Sequence, residues 1–206
     1  MASVTDPTSR GNPLRCRRCP ALVLALLAAT GAAAEPADYV IDPEHLSIGF
    51  LVDHVGYNKV LGMFRTGEGS FRFDEETGRL SELRIRVDSA SVFTNDEKRD
   101  EHLRSKDFLD VEAHPQMVYF AAEATPISGR DYAIEGELEL LGEKRPVKLQ
   151  ATWNKSAPYP FGGHYVTGIS ARGVLKRSEF GMTYAVANGW VGDEVELIIE
   201  FEARRQ

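Results

Sequence analysis

The chain has 206 residues, a formal charge of −7 at neutral pH and 27% charged residues. Its length allows one or two domains with a sizeable core. Because it is acidic, it is a poor candidate for binding nucleic acid or an anionic membrane surface. Both cysteines precede residue 20, which excludes disulfides, thiol catalysis and cysteine metal sites from the rest of the chain.

The N-terminal segment has the organisation of a secretory signal peptide. Four arginines precede an apolar run over 21–29, and three alanines follow at 32–34. A basic flank, a short apolar core and a small-residue cleavage site are the parts of such a signal, and the run is too short for a stable membrane-spanning helix. We therefore expect a cleaved signal peptide over 1–34 and an exported domain over 35–206. Loss of four arginines and one aspartate, a net +3, leaves that domain with a charge of −10.

Alternation of apolar and polar residues dominates the chain after residue 38 and predicts β-strands. In 80–88, for example, Leu83, Ile85 and Val87 alternate with charged residues. Strand patterns occur over 46–54, 60–64, 69–73, 80–88, 116–125, 132–140, 145–153, 165–175 and 194–201. About eight strands at hairpin spacing indicate an all-β sandwich or a closed barrel. Strands of this length favour the barrel, because closure removes the exposed edges that promote aggregation.

A charged segment over 91–119 interrupts the strand pattern. It predicts a short helical link near 95–110, with Asn95 as the N-cap and Asp96 and Glu97 in the first turn. A second short link is predicted over 176–182. A charged, ordered insert in a β-protein closes or shapes a site, so the function is expected at this link.

Several short motifs along the domain resemble, in order, those of the YceI-like family of periplasmic proteins. They are Asp42-Pro43 with His45 and Ser47, Phe50 and His54, Gly62-Met63-Phe64, the run 91–95, Arg99-Asp100, His102-Leu103-Arg104, Asp107-Phe108, Pro115, Gly136-Glu137-Leu138 and the run 177–182. The resemblance covers nearly all of the mature chain. It implies an eight-stranded antiparallel lipocalin-like β-barrel in the periplasm, a link to stress responses, and an apolar tunnel that binds a polyisoprenoid such as a prenylquinone or a polyprenyl phosphate. The resemblance also implies that an amphiphilic fatty amide can take this place, so the fold alone does not fix the ligand.

Inward-facing apolar residues of the predicted strands are the candidates for the tunnel lining. They are Ile48, Phe50, Val52, Phe64, Phe71, Leu83, Ile85, Val87, Tyr119, Ile134, Leu138, Leu149, Val166 and Ile169. A one-residue register error would exchange the two faces of a strand. The same residues would also fill a core without a ligand, and that alternative stays open here.

A lipid head group needs polar partners at the tunnel mouth, and the links supply Arg99, His102, Arg104 and Arg177. An arginine can donate two parallel hydrogen bonds to a phosphate, and a histidine can donate one to a quinone oxygen. The structural alternative is that these residues fasten the links to the barrel through ion pairs such as Arg99–Asp100 and Arg177–Glu179.

The sequence gives little support to an enzyme. The five histidines lack metal-ligand spacing, and neither an H-E-x-x-H nor a G-x-S-x-G motif occurs. The trio His45, Ser47 and Asp53 has the composition of a catalytic triad, but such trios are common in chains of this size. We therefore expect no catalysis and no cofactor other than a bound lipid. The alternatives are a stress or interaction protein with a self-filled barrel and, less favoured, a hydrolase. Transient membrane contact and a homodimer stay open.

Overall fold

The computed structural model describes residues 35–206, so the predicted signal peptide lies outside the described residues. Eleven strands form one antiparallel sheet. They are β1 (Ala37–His54), β2 (Asn58–Phe64), β3 (Gly67–Asp74), β4 (Arg79–Asp88), β5 (Val92–Phe93), β6 (Gln116–Ala124), β7 (Pro126–Ser128), β8 (Asp131–Leu140), β9 (Glu143–Pro158), β10 (Tyr165–Lys176) and β11 (Val191–Arg205). The only α-helix of this region is α1 (Glu97–Arg104), and 3₁₀ turns occupy Ser89–Ser91 and Arg177–Phe180.

The sheet closes into an eight-stranded barrel. The order is β11-β10-β9-β8-β6-β4-β3-β1, and β1 then pairs with β11, from Tyr39 opposite Arg205 to His54 opposite Val191. The strands β2 and β5 continue the wall beside the second half of β1, and β7 pairs with β8. The predicted fold class is therefore confirmed. No helix among residues 35–206 is long and apolar enough to cross a bilayer.

The long strand β1 changes partner along its length. Its first four residues pair with β3, and Ile48–His54 pair with β2. Between these parts the ladder to β11 is interrupted from Ile41 to Leu46. Pro43 falls in this interruption and cannot donate a backbone hydrogen bond, so the sequence favours a bulge here. The bulge lets one strand serve both halves of the barrel wall.

Aromatic side chains fill one end of the barrel. The Tyr39 and Phe71 rings stack with centroids 5.3 Å apart, and Phe71 meets Phe201 edge-on at 6.0 Å. The Phe73 ring contacts Trp153 edge-on at 4.9 Å. Each such pair contributes about 0.5–1.5 kcal/mol beyond the burial of its area. This end is therefore a packed core with no room for a ligand.

The helical link is as short as its sequence suggests, but its N-cap is not Asn95. The Asp96 carboxylate accepts a hydrogen bond from the Arg99 backbone N–H, which makes Asp96 the cap. Asn95 precedes it with a φ of 64°, a conformation that asparagine tolerates better than most residues. The predicted cap was wrong by one residue, because both side chains are good caps and only the turn geometry distinguishes them.

Candidate functional site

The barrel end opposite the aromatic cluster contains a cavity of about 580 Å³. Its wall consists of the second half of β1, β2, β5, the ends of β4, β8 and β10, the starts of β6 and β9, and the first half of β11. The charged link that carries α1 and the connection between β10 and β11 lie at its mouth. The volume is in the range of small-molecule binding sites, roughly 300–1,000 Å³.

Three side chains form the floor of this cavity. Ile85, Leu149 and Ile199 line it and also line a second void of about 10 Å³ beneath it. A void of that size holds at most about one water molecule. The floor therefore separates the open half of the barrel from the packed half.

Nine of the fourteen predicted lining residues line the cavity. These are Ile48, Phe50, Val52, Phe64, Ile85, Val87, Tyr119, Leu138 and Leu149. Four others point into the barrel but lie below the floor: Leu83, Ile134 and Ile169 surround the small void, and Phe71 belongs to the aromatic cluster. Val166 is half-buried, in the opposite alternation to the buried Thr167 and Ile169, so its predicted face was wrong.

Two glycines have no side chain to block a neighbouring aromatic ring, so the rings of Phe50 and Tyr119 pack directly on the backbone of the barrel wall. A Cβ atom at Gly62 would lie 2.2 Å from the Phe50 ring, and one at Gly136 would lie 2.3 Å from the Tyr119 ring. The Tyr119 hydroxyl donates a hydrogen bond to the Val147 carbonyl at 3.1 Å. Burial raises the pKa of this phenol, so it stays neutral as a donor. Both rings therefore form the wall instead of crossing the cavity.

Several lining residues were missed by the sequence analysis. Val195, Leu197 and Ile199 come from β11, where an alternation broken only by Ile198 was available as a signal. Leu103, Phe108 and Leu109 come from the charged link. Phe108 and Leu109 are adjacent in the sequence and both are buried, a pattern that no strand or helix period would reveal.

Polar groups at the mouth are organised around Thr94. The Arg99 guanidinium donates from Nε to Thr94 Oγ1 at 2.6 Å and from Nη2 to the Thr94 carbonyl at 2.7 Å. The buried Asp100 carboxylate accepts from the Thr94 backbone N–H at 2.8 Å and from its hydroxyl at 2.6 Å. The predicted Arg99–Asp100 ion pair is replaced by this shared threonine. Arg99 lines the cavity, and its Nη1 has no hydrogen-bond partner in the described part of the chain.

His102 is the second polar residue at the mouth that remains accessible. Its Nε2 lies 2.8 Å from an Asp107 carboxylate oxygen, and its ring packs edge-on against Phe108 and Tyr184, each with centroids 5.0 Å apart. About 41% of its side chain is exposed. The ring orientation is therefore fixed, and the ring lines the cavity.

Arg177 lies at the cavity but is already fully engaged. The residue is 1% exposed, and its guanidinium donates to the carbonyls of Met182, Tyr184, Val191 and Gly192 at 2.7–3.0 Å. Burial lowers the pKa of this guanidinium, and the neighbouring Asp193 opposes the shift. Because its donors bind backbone carbonyls, Arg177 anchors the connection between β10 and β11 and does not pair with Glu179.

Arg104 does not line the cavity. Its Nε donates to the Ala90 carbonyl at 2.8 Å and its Nη2 to the Val92 carbonyl at 2.9 Å. It therefore fastens α1 to the preceding turn. Of the four head-group candidates, the structure places Arg99, His102 and Arg177 at the cavity. Of these three, only Arg99 and His102 have a side-chain nitrogen without a hydrogen-bond partner among residues 35–206.

A sequence model of the YceI-like domain matches residues 39–203. The chain belongs to the YceI-like family. A UPF0312 protein of Pectobacterium carotovorum is 38% identical over 185 residues, which cover 89% of this chain and 94% of that protein. A UPF0312 protein of Azotobacter vinelandii is 39% identical over 189 residues, with 90% and 95% covered.

Solved structures share the fold of this YceI-like domain. The Campylobacter jejuni YceI protein is 26% identical, with 75% of this chain and 90% of that chain covered and a TM-score of 0.69. Burkholderia cenocepacia BcnA is 18% identical, with 79% and 98% covered and a TM-score of 0.70. A polyisoprenoid-binding domain from Saccharophagus degradans is 11% identical, with 82% and 98% covered and a TM-score of 0.60.

The YceI-like barrel does not assemble the trio that resembled a catalytic triad. The His45 Nδ1 lies 2.9 Å from the Asp42 carboxylate, in the bulge of β1. Asp53 is eight residues further along the same strand, or roughly 26 Å at the usual rise, and accepts from the Gly56 backbone N–H. No group of three or more His, Cys, Asp or Glu side chains within residues 35–206 is placed to hold a metal ion.

Proposed function

We propose that the protein binds one amphiphilic lipid, with its apolar tail in the cavity and its head group beside Arg99 and His102. The observation that carries this proposal is the distribution of chemistry in the cavity. Its wall and floor are aliphatic and aromatic. Among its charged side chains, Arg99, His102 and Arg177 belong to the links around the mouth, and Asp53 is next to last in β1, at the same end of the barrel. A ligand that matches this distribution has a long apolar tail and one polar end.

The cavity volume sets the length of tail that fits. An apolar cavity of about 150 Å³ accommodates benzene, which corresponds to roughly 25 Å³ per carbon atom. A cavity of 580 Å³ therefore accommodates roughly 20 carbon atoms, or about four isoprene units. At about 0.8 kcal/mol per buried CH₂, such a tail gains roughly 15 kcal/mol before association costs of about 4–15 kcal/mol. A polyisoprenoid such as a prenylquinone or a polyprenyl phosphate satisfies this requirement.

The mouth provides partners for an oxygen-rich head group. Arg99 is held in place by Thr94 while its Nη1 faces no protein acceptor, so it can donate to a phosphate or quinone oxygen. His102 is positioned by Asp107 and two aromatic rings. A hydrogen bond from a preorganised donor costs little ordering entropy, which favours a defined head-group position.

The alternative of a stress or interaction protein predicts a barrel filled by its own side chains. Only the half below Ile85, Leu149 and Ile199 is filled in that way. The fold shared with a polyisoprenoid-binding domain of Saccharophagus degradans also supports a lipid ligand. Transport or storage in the periplasm is part of the proposal and depends on the signal peptide expected at 1–34.

Equilibrium binding tests the proposal. Prenylquinones with one to four isoprene units, and the same quinone ring without a tail, are titrated into the Trp153→Phe variant. The fluorescence of its remaining tryptophan, Trp190 at the cavity mouth, is recorded. We expect affinity to rise with tail length and the free ring to leave the signal unchanged. Equal affinity for the ring and the tailed quinones would overturn the proposal.

The variant Arg99→Ala separates the two roles of this arginine. If Arg99 contacts the head group, the variant loses about three- to tenfold in affinity for a polyprenyl phosphate while a tail-matched hydrocarbon is unaffected. If Arg99 only fastens the link, thermal stability falls and the preference between the two ligands is unchanged.

A further inference from the structure

Exposed apolar side chains surround one side of the cavity mouth. They come from the β1–β2 turn, which carries Val55 and Tyr57, and from the β10–β11 connection, which carries Tyr184 and Trp190. Their exposed fractions are 43%, 89%, 43% and 60%, respectively. The Val55 backbone N–H donates to the Trp190 carbonyl at 3.0 Å, so the two segments form one continuous rim.

This rim, defined as Val55, Tyr57, Tyr184 and Trp190, is continuous with the interior. Val55, Tyr184 and Trp190 line the cavity as well as being exposed, whereas Tyr57 does not line it. An apolar surface thus runs from outside the barrel to the binding cavity without a polar break at these residues. Exposed apolar surface of this kind marks contact with another apolar phase or partner.

The backbone conformation of Val55 gives separate support for a functional role of the rim. Val55 has a φ of 55° and Gly56 a φ of 72°, and the Tyr57 N–H donates to the His54 carbonyl at 3.1 Å. Two consecutive positive φ values are the requirement of a type I′ turn, where Asn-Gly and Gly-Gly are preferred. A β-branched residue in this region is strained, and strain of this kind clusters at functional sites. Stability does not explain a valine here, but an apolar tip on the rim does.

We propose that the rim docks the mouth of the barrel on the surface of a zwitterionic phospholipid bilayer. This inference rests on the proposed function, since a long-tailed ligand passes between bilayer and cavity most easily when its tail never meets water. Tyrosine and tryptophan favour the interfacial region of a bilayer, and three of the four rim residues are of these two types. The rim therefore has the chemistry of an interfacial anchor.

Charges behind the rim favour a neutral surface. Asp53 precedes Val55 by two residues and Glu194 follows Trp190 by four, and the cation of Lys59 is paired with Glu196. Residues 35–206 carry a net charge of −10. An anionic bilayer would repel these carboxylates, while phosphatidylcholine and phosphatidylethanolamine headgroups would not.

The first test compares two exposed aromatic residues at opposite ends of the barrel. Tyr57→Ser changes the rim, and the matched control Phe161→Ser changes a residue that is 87% exposed on the β9–β10 loop, at the packed end. Binding to phosphatidylcholine–phosphatidylethanolamine vesicles is measured by co-flotation. We expect about a tenfold loss of vesicle affinity for Tyr57→Ser, the lower end for one aromatic side chain that no longer leaves water, and none for Phe161→Ser. Equal binding by both variants and the parent would overturn the proposal.

Ligand binding is measured separately with a water-dispersed short-tail prenylquinone. Tyr57 does not line the cavity, so Tyr57→Ser should retain the parental affinity for this probe. Quinone binding without vesicle binding would overturn docking and leave the proposed function intact. Vesicle binding without quinone binding would overturn the proposed function and leave docking on the bilayer intact. Vesicle-independent dimerisation that Tyr57→Ser abolishes, with no flotation of the parent, would assign the rim to a second copy and also overturn docking.

The second test uses the strain at Val55. Val55→Asn places a residue that tolerates positive φ in the turn, so we expect a higher thermal midpoint together with weaker flotation. A valine with a purely structural role would give a lower midpoint instead. A single-tryptophan variant, Trp153→Phe, keeps Trp190 as the reporter, and a blue shift on vesicle addition is expected. An unshifted spectrum would contradict immersion of the rim.

Discussion

Substitution of Val87 by tryptophan tests whether the cavity holds the lipid tail. Val87 lies on β4 and is 9% exposed. It lines the cavity two residues after Ile85, which is part of the cavity floor. Tryptophan has about seven more heavy atoms than valine, which at roughly 25 Å³ per atom occupy roughly 175 Å³. This is about 30% of the 580 Å³ available. The longest tail that can be buried should fall from about four isoprene units to about three.

The expected loss of affinity follows from the displaced carbon atoms. A four-unit tail would leave about five carbons outside the cavity, which at about 0.8 kcal/mol each is an upper limit of roughly 4 kcal/mol, or about a thousandfold in affinity. Tails of one or two units should bind nearly as before. The measurement is a titration of prenylquinones of increasing length, with far-UV circular dichroism to establish that the β-structure is unchanged.

The matched control is Val174→Trp. Val174 lies on β10, is 54% exposed and does not line the cavity. It receives the same chemical change on the outside of the barrel, so its tail-length profile should equal that of the parent. An unchanged profile in folded Val87→Trp would refute the assignment of the cavity as the tail site.

Three further predictions concern stability. Arg177→Met leaves four carbonyls without their donor and should cost at least about 3 kcal/mol, a fall of roughly 10 °C in melting temperature. Gly136→Ala forces the Tyr119 ring to move and should cost about 1–3 kcal/mol while altering ligand affinity. For Asp42, burial raises the carboxyl pKa, but hydrogen bonds from His45 and Arg204 outweigh it and hold the pKa below its usual 3.8. Asp42→Asn should therefore be less stable than the parent at neutral pH, with the difference shrinking as the pH falls through that lowered pKa.

Each of these predictions has an outcome that would contradict it. Thermal unfolding of Arg177→Met within about 2 °C of the parent would show that water replaces the guanidinium at the four carbonyls. Parental stability of Gly136→Ala would mean that the Tyr119 wall is not tightly packed. The hydrogen bond to Asp42 raises the pKa of His45, so the difference should first grow as His45 becomes protonated. A difference that keeps growing as the pH falls below 3.8, the usual pKa of an aspartate, would reverse the sign of the Asp42 linkage.

The alternation of residues predicted the barrel and most of its inward faces, but not the height of each residue along the barrel axis. Phe64 and Phe71 both point inward, yet Phe64 lines the cavity and Phe71 stacks on Tyr39. Their difference depends on the stagger of neighbouring strands and on which residues meet across the interior. Neither is encoded in the period of a single strand.

The roles of the arginines were harder to predict for a related reason. Arg99, Arg104 and Arg177 all occur in charged links, and each was expected to contact a head group or a nearby carboxylate. In the structure Arg104 and Arg177 donate to backbone carbonyls, and Arg99 donates to Thr94. Backbone acceptors are present at every residue, so the sequence does not distinguish a buried anchor from an accessible donor.

Native mass spectrometry of the mature protein, purified without detergent, tests the central claim most directly. Solvent extraction of the same sample then identifies anything that is released. We expect one molecule of an isoprenoid or a similar long-tailed amphiphile per chain, and in Val87→Trp a lower occupancy or a shorter tail. An apo mass that persists after incubation with prenylquinones of one to four isoprene units would contradict the account, because a cavity of 580 Å³ with apolar walls should fill under those conditions.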